Sequence, residues 1–267
     1  LQLVHTNQQI HGLISLDMTT GQLNSLQAKS IIIADGGYEG AWTGSNIGLG
    51  LDLVLRAGLA ARDLEFVGWA PLGVSGTNVV LPIGLLADGA TLHHSNGTPI
   101  EVELTADSTT IANAVGASSD AVLDARNMGE SSVWWAQTFE MVSQRLGINM
   151  NKQTVPISPR VATTIGGIPT DEHGRAVTGR WSRWFTGLYA AGDSACSGLH
   201  GAGLIAGNRL LDAMAGGAAA GEHAAAYAAK TNYTGRAALE TALGAVEADL
   251  DFDMAESEEG PVQRTGA

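Results

Sequence analysis

The chain has 267 residues, 45% of them apolar, with 35 glycines and a net charge of −13 from 27 acidic against 14 basic side chains. That length and apolar content allow a sizeable core, and the acidic balance argues against nucleic acid and against an anionic membrane surface as partners. The single cysteine, Cys196, excludes an intrachain disulfide and a thiolate metal cluster, and no apolar run reaches the length of a bilayer span.

From the N-terminus, Leu1–His5, Gly12–Asp17 and Leu23–Gln27 are short alternating runs that predict a β meander, with a turn at Thr19-Thr20-Gly21-Gln22. Because the chain opens in a strand-like run without an initiator Met, the expectation is that it begins inside a longer protein. The continuous apolar run Ser30–Ala34 predicts a buried parallel strand, ending in the turn Asp35-Gly36-Gly37. A helix is predicted over 48–57, stopped by Gly58, and a strand over 61–69. Between Pro71 and Pro156 the composition shifts to Thr, Ser and Asn clusters, with a short strand at Thr98–Leu104 and an amphipathic helix at Ser132–Leu146. Gly187–Ala191 returns to a buried strand. Beyond it the sequence predicts a Gly-rich loop, a long Ala-rich helix over 202–229, a further helix over 235–249 and a loose acidic tail over 251–267.

The pattern predicts an α/β fold with a discontinuous main domain over 1–70 and 157–230, an inserted α+β domain over 71–156, and the start of a C-terminal helical region over 231–267. Gly201–Ala206 matches G-x-G-x-x-A, yet it follows its strand too distantly, with no acidic strand end after it, to be a self-contained dinucleotide fingerprint.

Five segments carry a resemblance. Ile33-Ala34-Asp35-Gly36-Gly37-Tyr38 resembles A-T-G-G-(Y/A), and Arg56-Ala57-Gly58-Leu59 followed by Asp63–Val67 resembles R-A-G-L…D-L-E-F-V. Gly166–Thr170 resembles G-G-I-P-T, and Gly187–Asp193 resembles G-L-Y-A-A-G-E. Leu199–Ala202 with Asn208–Asp212 resembles H-G-A-N-R…N-S-L-L-D. In this order they are similar to the flavoprotein subunit of succinate dehydrogenase and fumarate reductase, with L-aspartate oxidase as a relative. The resemblance implies a partial FAD-binding domain of the two-dinucleotide-binding type with an inserted capping domain. It also implies FAD as cofactor, a flavoprotein oxidoreductase, a small-molecule substrate, an iron–sulfur partner subunit, and a cytoplasmic or membrane-peripheral location. It assigns FAD to Asp35, Gly36, Gly37, Gly192, Asp193, Asn208, Arg209 and Leu210. In it, the acid at Asp193 meets the ribityl region, and the start of the last helix meets the flavin's pyrimidine edge.

The same resemblance exposes five departures. The family's polar substrate contacts fall on Ala70, Pro82, Leu86, Ala162 and Leu204, and its T-G-D-G acid falls on Leu49. A cavity without cations does not favour a dicarboxylate, so no catalytic residue is assigned, and a non-catalytic paralogue or fragment is the alternative. The family's N-terminal strand–G-x-G-x-x-G–helix has no counterpart in these residues. The remaining readings are structural. His93-His94 is an exposed loop pair rather than a metal site, and His200 orients its loop. Trp134-Trp135 packs the inserted domain's helix. Ser194 and Ser197 lack the G-x-S-x-G elbow of a hydrolase.

Overall fold

The computed structural model describes residues 1–42, 44–103, 105–179, 183–201 and 207–258, with side chains placed to residue 250. β1 (Gln2–Thr6) and β2 (Gln9–Leu16) form an antiparallel hairpin through Asn7 and Gln8, both at positive φ (50° and 61°), as a tight two-residue turn requires. β3 (Leu23–Gln27) pairs with β2 and completes the meander. β4 (Ile31–Ile33) runs parallel to the later strand β11 (Arg183–Ala190), with Leu188 opposite Ile31 and Ala190 opposite Ile33. The buried reading of this segment holds only for Ile33. β4 pairs on one side alone among the described residues, so Ile31 is half-buried and Ile32 is exposed.

α1 (Leu49–Arg56) occupies the predicted place and ends at Gly58, whose φ of 85° closes the last turn. The strand predicted over 61–69 starts later. Asp63 sits at φ 57° in a turn closed by Phe66 N–H on Asp63 O, and β5 runs from Val67 to Val74. β5 pairs antiparallel with β8 (Val155–Thr164), whose other edge carries β7 (Ala121–Asp124), and β6 (Thr91–His94) pairs with β7. Thr98–Leu104 forms no strand among its described residues. Pro99 cannot donate to a ladder, and the segment is held by a bridge to His93 and by two backbone bonds around it, His94 N–H to Thr98 O and Ile100 N–H to Leu92 O.

The 71–156 segment carries α2 (Gly84–Ala87), α3 (Ser108–Gly116) and α4 (Ala136–Leu146), the last four residues shorter at its start than predicted because 129–133 form a 3-10 turn. α3 has no counterpart in the predicted elements. Its start is fixed by Asp107, which accepts from the Thr109 and Thr110 N–H groups. The core of this part gathers Leu72, Leu85, Ile111, Leu123, Val142 and Val155. Trp135 joins it and donates to Asp88 at 2.8 Å, but Trp134 is 87% exposed and packs nothing, a correction to the paired reading. His93 and His94 lie half-buried in β6 rather than in a loop, each ring bonded within the hairpin region, His93 to Thr91 and His94 to Asp120.

A separate core under the main sheet contains Leu3, Ile10, Val54, Leu59, Phe185 and Leu188. β9 (Ile168–Pro169), β10 (Arg175–Thr178) and β12 (Ala195–Cys196) frame its far end. α5 (Asn208–Lys230) lies against β11 through Ala220 and Ala224, which let it approach Tyr189 closely. Of the predicted 202–229 helix, residues 202–206 lie outside the described ones. α6 (Arg236–Glu258) covers the meander with Leu239 on Val4 and Ile14. It therefore continues eight residues into the tail expected to be loose, and 259–267 lie outside the described residues. No helix among the described residues is long and apolar enough to cross a membrane.

Candidate functional site

Because β4 and β11 are adjacent and parallel, both release their next turn at the same edge of the sheet, where open α/β sheets gather ligands. β4 delivers Asp35-Gly36-Gly37 and β11 delivers Gly192-Asp193. The first turn of α5, starting at Asn208, closes the third side. Gly36, Gly192, Asp193, Arg209 and Leu210 line one trough of about 530 Å³. Asp35, Gly37 and Asn208, also predicted here, flank it without lining it.

The glycines have physical reasons. Gly36 has φ 97° and Gly192 has φ 62°, conformations that side chains disfavour. A Cβ on Gly37 would lie 2.0 Å from Thr164 Oγ1. The turns therefore present bare backbone to the trough, which suits a flat or extended ligand. Asp35 is spent on architecture: its Oδ2 accepts from Gly50 N–H at 2.6 Å and its Oδ1 lies 3.1 Å from Ser194 Oγ, which also accepts from Gly36 N–H at 3.1 Å. That network ties both turns to α1 and removes Ser194 from nucleophile duty.

Charge in the trough is concentrated on one guanidinium. Arg209 Nε donates to Asp193 Oδ2 at 2.5 Å, Arg209 Nη2 also meets that oxygen, and Nη1 donates to the Ala162 carbonyl at 3.4 Å. Arg209 Nη2 lies 3.6 Å from Glu39 Oε1. Glu39 is 4% exposed, and its Oε2 has no hydrogen-bond partner among the described residues. Glu39 was not among the predicted site residues. Its one signal is a carboxylate placed directly after Gly36-Gly37-Tyr38. Two carboxylates against one guanidinium leave this corner net negative. α5 begins after Gly207, which has φ 86° and no side chain to cap the first turn.

The replaced positions lie where an anion would find little. Ala70 sits in β5, and Leu86 is buried at 5% exposure in the core around Leu123 and Val142. Pro82 precedes α2, and Leu204 lies outside the described residues. Leu49 opens α1 and is exposed. His200 Nε2 is 3.4 Å from Asp212 Oδ2 without hydrogen-bond geometry, and no hydrogen bond joins Ser197 to His200 among the described residues. In β12, burial and the Asp63 carboxylate, which accepts from Sγ at 3.4 Å, push the Cys196 thiol up to about 11. Burial and nearby acids likewise push Tyr38 up to about 12, so its hydroxyl stays a donor, to Leu64 O at 2.9 Å.

Parallel strands ending in glycine turns, an acid after the second turn and a helix start beside both are the ligand-binding edge of a nucleotide-binding type of α/β sheet. The profile of the family described as "FAD binding domain" matches residues 1–210, and the chain belongs to that family. It is 30% identical over 235 residues to the mitochondrial succinate dehydrogenase flavoprotein subunit of Oryza sativa subsp. japonica, covering 78% of this chain and 37% of that protein. It is 27% identical to the fumarate reductase flavoprotein subunit of Escherichia coli, covering 94% of this chain and 46% of that one. A structure of E. coli quinol fumarate reductase superposes with a TM-score of 0.81 at 25% identity, covering 94% of this chain and 48% of the other. The chain thus spans less than half the length of these relatives.

Proposed function

We propose that this chain is part of an FAD-dependent oxidoreductase whose substrate is neither succinate nor fumarate. The observation that carries the cofactor half is the trough itself, glycine turns on two adjacent parallel strands facing the first turn of α5. FAD, when bound, supplies an acceptor or donor of hydride. Gly36, Gly37 and Gly192 give it backbone clearance. Asp193 accepts from its ribityl hydroxyls, and the N–H groups at Asn208–Leu210 face its electron-rich edge. Arg209 is drawn to that edge only as far as Asp193 and Glu39 release it. Residues 1–70 and 157–230 form the cofactor-binding part and 71–156 the cap over it; an iron–sulfur partner and a membrane-peripheral place follow the named relatives.

The substrate half rests on the net-negative corner around Arg209 and on Ala70, Leu86 and Ala162, which offer no cation to a second carboxylate. The alternative is a non-catalytic paralogue, favoured by Asp193 already being paired with Arg209. The test is reconstitution with FAD, followed by flavin absorbance after gel filtration and by assays with succinate and fumarate. Retained flavin without either turnover is the expected result. Turnover of either acid at ordinary enzyme rates sinks the substrate reading, and no retained flavin sinks the cofactor reading. Asp193→Ala lowers FAD affinity by about 1.5–3 kcal/mol if its carboxylate accepts from the cofactor.

A further inference from the structure

A second cavity, of about 590 Å³, lies along another face of α5. Leu210, Ala213 and Gly217 line the trough, whereas Asp212, Ala215 and Ala219 line this cavity. At 3.6 residues per turn the two sets point to separate faces of the helix. The volume falls in the range of small-ligand sites. Val177, Ala190, Ala215 and Ala219 give the cavity apolar walls, and Arg62, Thr170, Ser197 and Asp212 bring polar groups to it. Arg62 is fixed at its backbone by two bonds of 2.9 Å with Gly167, which aims its side chain from a held position.

Opposite charges share this cavity without pairing. The Arg62 guanidinium makes no ion pair and no hydrogen bond among the described residues. The Asp212 side chain is 21% exposed and accepts no hydrogen bond among them; His200 Nε2 stands 3.4 Å from its Oδ2 without hydrogen-bond geometry. Thr170 is 8% exposed, and its hydroxyl also lacks a hydrogen-bond partner among the described residues. Asp171, by contrast, is satisfied. Its Oδ2 accepts from Arg175 Nε at 2.6 Å, and its Oδ1 accepts from two backbone N–H groups at 3.0 Å. A cation, a carboxylate and a buried hydroxyl left apart around one space suit a ligand that carries both complementary charges. A planar guanidinium recognises a carboxylate, a carboxylate such as Asp212 recognises an ammonium group, and the alanine walls recognise an apolar side chain.

We propose that the cavity between Arg62, Thr170 and Asp212 binds an apolar α-amino acid, with its carboxylate on Arg62 and Thr170, its ammonium group on Asp212 and its side chain against Ala215 and Ala219. Binding here does not require FAD in the trough. Titrating L-leucine into the 267-residue chain, followed by calorimetry and NMR, tests it. The expected result is saturable binding with a Kd of about 1 mM or tighter, and nuclear Overhauser contacts from the leucine methyls to the Ala215 and Ala219 methyls. Isocaproate, which lacks the ammonium group, and isoamylamine, which lacks the carboxylate, bind about tenfold more weakly or worse. Arg62→Gln and Asp212→Asn each weaken leucine by about tenfold. Absence of saturation, binding without contacts to either alanine, or either single-charge analogue binding as tightly as leucine overturns the proposal. So does a folded variant that binds leucine as well as the unsubstituted chain. The comparison of leucine with its two analogues on the unsubstituted chain carries the charge test should a variant unfold.

Discussion

Cys196 shows how a residue's surroundings decide its chemistry. Its thiol is 2% exposed and gives its proton toward Asp63, so both burial and a neighbouring negative charge disfavour the thiolate. A thiol reagent at pH 8 is therefore expected to leave the folded chain unmodified and to label it on unfolding. The sign of the stability effect follows. The folded pKa, about 11, lies above the unfolded one, so this contribution is complete below pH of about 8.5 and is lost as pH rises toward 11. Rapid labelling of folded protein at pH 8 contradicts the buried placement. Asp35 makes the complementary point. Its identity in a glycine turn was legible, but two readings, cofactor contact and turn residue, were open, and its bonds to Gly50 and Ser194 favour the second. Glu39 carried only its place after Gly36-Gly37-Tyr38, which does not distinguish a carboxylate that folds inward near Arg209 from a solvated one.

At the scale of elements, the turn after β4 is the tightest piece of the candidate site. Gly37→Ala sets a methyl 2.0 Å from Thr164 Oγ1, against a side chain that is itself buried. The expected cost is about 1–3 kcal/mol by chemical denaturation. Thr164→Ala removes the obstacle, so the double variant is expected to lose less than the sum of the two singles. Additive losses would mean that the clash is relieved elsewhere. Elements were legible where a local rule governs them. Alternation marked the meander, and Gly58 marked the end of α1. α3 was missed because its pattern, Ser108-Thr109-Thr110, reads as loop until Asp107 is recognised as its cap. The strand assigned to 61–69 slid to Val67–Val74 because Asp63 takes a left-handed turn that apolar content does not reveal. α6 ran past its predicted end because Leu239 and Val246 pack on the meander, and that tertiary contact supports more helix than composition suggests.

For the whole molecule, the 71–156 segment and the main sheet have separate cores, one around Leu123 and Val142 and one around Phe185 and Leu188. The two strands β5 and β8 connect them as a ribbon. Leu123→Ala, at a fully buried position, is expected to cost about 2–5 kcal/mol. Hydrogen exchange should then show lost protection over β6, β7 and α3 while β4 and β11 stay protected. Simultaneous loss in both regions would show that the ribbon couples them into one cooperative unit.

By itself the sequence determined the fold class, the order of its glycine turns and the family, because buried apolar runs and obligatory positive-φ glycines leave marks at fixed spacing along the chain. Only the tertiary structure decided which charges share a cavity. Arg209 meets Asp193 at a separation of 16 residues and approaches Glu39 across 170, and Arg160 reaches Asn78 across 82. Those pairings depend on how two parallel strands and a ribbon bring distant turns together, and electrostatic contacts of that kind have no period in sequence.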